Sequence, residues 1–113
     1  MTGDCEVRAI STALNEDYNR VLMEMCEMTC ETGYIFNDNK GEEKYLTSKG
    51  WKKHKQPRHS DNTKYTGKEF CKEFKGTCIA HIGGNHVVCI KDGKVYDTWD
   101  STDGCIGNYF TKE

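Results

Sequence analysis

This chain holds one proline, Pro57, and one glutamine, Gln56, in 113 residues. It has no low-complexity tract and no internal repeat. A proline-rich or disordered linker is therefore excluded. No apolar run approaches the roughly 20 residues needed to span a bilayer, so no membrane partner is expected. The opening Met1-Thr2-Gly3-Asp4-Cys5-Glu6 lacks a basic segment followed by an apolar one, which predicts no secretory signal. There is no Cys-x-x-Cys pair of the zinc-knuckle kind. Neither charge sign dominates: 16 Lys and Arg face 18 Asp and Glu, for a net charge of −2. That balance argues against specific nucleic-acid binding.

What the chain does have is cysteine. Seven in 113 residues is many, and the count is odd. Without an export signal this predicts free thiols in a reducing cytoplasm, most of them small buried hydrophobes. Charge is also unevenly spread. Residues 1–31 are acidic, whereas 49–64 carry Lys49, Lys52, Lys53, Lys55, Arg58 and Lys64 against Asp61 alone. The basic stretch is a solvated loop or a contact for an acidic partner.

The length fits a single domain over 1–113. Val7, Ile10 and Leu14 recur at helical spacing behind Asp4, a residue suited to capping. A second helix is expected over 17–32, stopped by Gly33. Tyr45, Leu46 and Trp51 suggest a short helix leading into a strand. Thr66 and Glu69 have capping-box spacing, giving a helix over 67–74. From Gly76 onward the pattern is strand: 77–82, 86–91 and 94–99, with Asp92-Gly93 as a two-residue hairpin turn. Residues 105–110 suggest a final edge strand. Helices first and an antiparallel sheet afterwards make an α+β domain.

The chemistry centres on Cys5. It stands in the first turn of the first helix, where free backbone N–H groups and the helix dipole favour a thiolate. Asp4 and Glu6 oppose this, so a partner imidazolium is required. Counting outward from the Asp92-Gly93 turn pairs Val88 with Asp97 and His86 with Trp99. His86 and Asp97 are then diagonal neighbours on one face, and Trp99 would shield them from water. A thiolate, an imidazole base and a carboxylate that orients the imidazole are the parts of nucleophilic acyl transfer. His81 on the preceding strand is the rival base, and Asp100 the rival acid if the register slips by one.

Cys5 on a first helix, followed much later by His86 at the start of a hairpin strand and by Asp97-Thr98-Trp99, resembles papain-like cysteine peptidases. Their third catalytic residue stands in an Asn-Ser-Trp sequence. The order Cys, His, Asp is also similar to transglutaminases, arylamine acetyltransferases and double-glycine leader peptidases; the last share the Asp-Cys step of Asp4-Cys5. Gly3-Asp4-Cys5 with His86 and Asp97 also resembles short bacteriophage and bacterial proteins. The resemblance implies a papain-like fold and a cysteine hydrolase or acyl transferase with no cofactor, acting on a protein or peptide. It also implies, as the alternative, an inactive fold that binds and blocks a host protein. One departure stands out. Papain-like peptidases place a glutamine several residues before the cysteine to complete the oxyanion hole. Only four residues precede Cys5 and none is Gln; Asn85 or backbone N–H groups would have to substitute. Finally, Cys26, Cys30, His54 and His59 are weighed as zinc ligands, but their four- and five-residue spacings are loose.

Overall fold

In this computed structural model, residues 4–84, 86–97 and 100–112 are described. Among them the chain forms four helices and five strands in an α+β arrangement. The helices are α1 (Cys5–Leu14), α2 (Tyr18–Thr32), α3 (Asn39–Ser48) and α4 (Gly67–Glu73). The strands are β1 (Trp51–His54), β2 (Thr77–Ile82), β3 (His86–Lys91), β4 (Lys94–Tyr96) and β5 (Ile106–Lys112). They form one antiparallel sheet in the order β1-β5-β2-β3-β4.

Local chemistry accounts for most element ends. Asp17 caps α2 by accepting the Arg20 N–H on its carboxylate, and Gly33 closes it at φ +79°. Thr66 and Glu69 form the capping box of α4 in both directions. Asp92 and Gly93 both take positive φ, the backbone a two-residue hairpin demands. The Asp92 carboxylate also accepts the Gly76 N–H, which ties this turn to the entry of β2. Asp4 caps α1 differently from expectation. Its backbone carbonyl accepts the Arg8 N–H, while its carboxylate makes no cap bond and is held by the Arg8 guanidinium and the Tyr18 hydroxyl.

Two apolar layers sandwich the sheet. Val7, Ala9 and Ile10 of α1, Val21 and Met25 of α2 and Leu46 of α3 pack on one face against Ile79, Val87, Cys89 and Phe110. Phe70 of α4 packs on the other, against Cys78, Ala80, Ile82, Val88 and Ile90. The expected final edge strand is instead interior: β5 lies between β1 and β2. Phe110 and Ile106 explain this, because both are almost fully buried and need cover on both sides. A one-residue register shift between Ala80↔Tyr109 and Ile82↔Ile106 turns Phe110 and Ile106 to opposite faces. The hairpin strand expected over 94–99 ends at Tyr96, which pairs with Cys89. Asp97 therefore leaves the ladder, and the first residues of β3 extend beyond β4.

Candidate active site

The site gathers at the turn end of the β2–β3 hairpin, which is also the open end of the β3–β4 hairpin. α1 lies against β3, and its first residue, Cys5, borders a cleft together with His86 and Val87 at the start of that strand. Cys5 and His86 border the same cleft, of about 790 Å³. By strand parity His86 belongs with Ile82 and Val88, on the face opposite α1. It is the first residue of β3, past the last rung with β4, and so it reaches the end of the sheet.

His86 and Asp97 meet as the hairpin count predicts. Nε2 of His86 lies 2.5 Å from Oδ2 of Asp97. Both are well covered, with side chains 15% and 4% exposed. The same Oδ2 accepts the Ser101 hydroxyl at 3.0 Å, and Oδ1 lies 4.0 Å from the Arg8 guanidinium. A buried carboxylate requires this kind of compensation. Asp100, the rival acid, is exposed and turns its carboxylate back onto the N–H and hydroxyl of Thr102. Trp99 and Asn85 lie outside the described residues.

The rest of the cleft is braced through glycine. Gly104 packs so close to Gly83 that a Cβ would lie 3.0 Å from the Gly83 nitrogen. Gly67 at the head of α4 donates its N–H to Gly104, and Lys68 donates to Thr102. The segment carrying Ser101 is thus clamped between α4 and the hairpin end.

His81 is not idle. Its Nε2 lies 2.6 Å from Oε1 of Glu42, a residue of α3 that is 1% exposed. His81 shares a face with Val87 and α1, opposite to His86. Glu6 sits beside this pair and is 4% exposed. Burial, reinforced by the charges of Glu42 and Asp38, pushes its carboxyl up to about 9. Glu6 is therefore neutral near pH 7, and Asp4 is balanced by Arg8. Neither acidic neighbour opposes a Cys5 thiolate with an uncompensated charge.

The other thiols divide by exposure. Cys26, Cys30 and Cys105 are exposed. Cys78 and Cys89 are buried, and burial raises both thiols, Cys89 to about 11. The candidate zinc ligands do not converge. His54 stacks on Tyr109 and bonds Thr111, while His59 stacks on Tyr65 and faces Glu69. Among the described residues, no group of three or more His, Cys, Asp or Glu side chains is placed to hold a metal ion. No described helix is long and apolar enough to cross a membrane.

Sequence reasoning missed Arg8, Ser101 and Glu6. Arg8 falls one helical turn after Asp4, a spacing that signals an ion pair. Ser101 falls four residues after Asp97 and carried no signal of its own. Glu6 was read only as a charge beside Cys5, and its burial carried no signal in the sequence. No protein-family model matches the chain, and no curated protein or solved structure matches it either.

Proposed function

We propose that this chain is a small papain-like cysteine enzyme that performs acyl transfer, most simply hydrolysis of a peptide, isopeptide or amide bond. The observation that carries this reading is the buried His86–Asp97 hydrogen bond at the edge of a cleft also bordered by Cys5, the first residue of a helix. His86 takes the Cys5 proton, and the thiolate attacks the carbonyl carbon. His86 then returns that proton to the leaving amine, and water cleaves the thioester. Asp97 holds the ring on Nε2, which directs Nδ1 to the proton transfers and stabilises the imidazolium. Backbone N–H groups in the first turn of α1 face the developing oxyanion.

The test is the rate at which iodoacetamide alkylates each thiol near neutral pH, read by peptide mass spectrometry. Exposed Cys26, Cys30 and Cys105 are internal references. Cys5 is expected to react at least tenfold faster than these, and His86→Ala to abolish the difference. A Cys5 rate no greater than theirs overturns the reading.

A second reading keeps the fold without catalysis. Lys52, Lys55, Arg58 and Lys64 are all exposed on edge strand β1 and the loop after it, a surface suited to an acidic protein partner. As a pure binder, the protein would keep its biological effect in a Cys5→Ser variant.

A further inference from the structure

Two different charge environments meet in the cleft. Glu6, Asp38, Asp100 and Asp103 border it, and among the described residues neither lysine nor arginine does. Two of these acids are already engaged. Asp100 bonds Thr102, and Asp103 pairs with Lys68 at 3.2 Å. The other two stand on the wall made by the starts of α1 and α3. Asp38 is exposed at the α3 N-cap, yet its carboxylate makes no cap bond. Glu6 is 4% exposed, and its Oε1 is buried with no hydrogen-bond partner. Asn37 and Asn39 flank Asp38 on the same wall.

A buried carboxyl oxygen without a partner is costly, and proteins keep few of them. Once ionised, that oxygen would need a donor. Burial and the nearby Glu42 and Asp38 hold the proton on Glu6 when no cation is present. Glu42 does not relieve the site as placed: its Oε2 is also buried without a partner, while its Oε1 is taken by His81. A cation entering from the cleft would meet Asp38 first and would then let Glu6 ionise.

We infer that the Glu6–Asp38 wall is a specificity site for a positively charged side chain, so that the substrate carries lysine or arginine beside the carbonyl presented to Cys5. Asp38 supplies the exposed contact. Glu6 supplies the buried one. This inference rests on the reading of Cys5 as nucleophile and names the substrate class for that site.

The test compares two activated esters of the same shape, the p-nitrophenyl esters of Nα-acetyl-lysine and Nα-acetyl-norleucine, which differ only in the terminal ammonium. Cys5 attacks the ester carbonyl, p-nitrophenolate leaves and is read by absorbance, and water cleaves the thioester. The wild-type protein is expected to favour the lysine ester in kcat/KM by roughly 10–100-fold, the scale of one charge-assisted hydrogen bond. Glu6→Gln and Asp38→Asn should each bring the ratio toward one, and Asp38→Lys should invert it. Cys5 alkylation by iodoacetamide, measured on the same samples, separates the two levels of argument. Fast alkylation with equal turnover of both esters overturns the cation site and leaves the nucleophile standing. A preference that survives both neutral variants also overturns it. No turnover of either ester, with Cys5 no faster than the reference thiols, removes both readings.

Discussion

Two histidines border the cleft, each bonded to a carboxylate at nearly equal length, and the two pairs are built on different terms. His86 and Asp97 lie 2.5 Å apart, and His81 and Glu42 lie 2.6 Å apart. The histidines come from adjacent strands of one hairpin but from opposite faces of the sheet. Asp97 has further support from Ser101 and a cation, Arg8, nearby. Glu42 has one oxygen without a partner and a second acid, Glu6, as a neighbour. A short bond to a carboxylate thus does not by itself mark a catalytic histidine. What separates the pairs is whether the carboxylate is balanced within the protein. On the proposed function, the balanced pair would hold an imidazole through a reaction cycle, and the unbalanced one would stand beside the inferred cation site.

The comparison is broken most directly by removing each imidazole. His86→Ala should lower turnover of a p-nitrophenyl ester by roughly 10²–10⁴-fold, the usual range for losing a general base. His81→Ala should lower it by less than tenfold. Equal losses would erase the distinction. Next comes the carboxylate of the His86–Asp97 pair. Asp97→Asn should cost on the order of 100-fold in kcat by loosening the ring, with a smaller change in KM.

Smaller effects fall on stability. Glu42→Gln is expected to cost roughly 1–3 kcal/mol in urea unfolding, because it weakens the bond to His81. Glu6 gives a pH test with a defined sign. Its carboxyl titrates at 4.5 in the unfolded chain and near 9 in the folded protein. Below pH 4.5 both states hold the proton. Between the two values only the folded state does, so stability falls as pH rises through that window. Glu6→Gln should flatten the profile, with a larger relative gain at pH 8 than at pH 5. Parallel wild-type and variant profiles would show that Glu6 is not held neutral. The smallest expected effect is Ser101→Ala, which leaves Asp97 its bond to His86 and should change kcat by less than about fivefold.

How much of this was legible depended on range along the chain. The capping box at Thr66 and Glu69 and the turn at Asp92-Gly93 are local, and both formed as their residues dictate. The hairpin count placed Asp97 beside His86 because pairing outward from a two-residue turn leaves little choice of register. It carried the strand too far: β4 ends at Tyr96, and Asp97 meets His86 and Ser101 off the ladder. The interior position of β5 was not legible. It depends on β1, a four-residue strand more than fifty residues earlier, covering one edge. The burial of Glu6 was hidden too: its neighbours Glu42 and Asp38 lie more than thirty residues away in the chain. Among the expected site residues, Trp99 lies outside the described residues, and its role as cover stays with the sequence argument.

The placement of Cys5 at the head of α1 and of its partners on a hairpin eighty or more residues later has a consequence for synthesis. At about 5–20 residues per second, the thiol leaves the ribosome several seconds before His86 and Asp97 exist. During that interval it is an ordinary cysteine on a helix without its sheet. On the proposed function, activity would switch on only when the strands carrying His86 join the sheet against α1, so a truncated or stalled chain would carry Cys5 without its base.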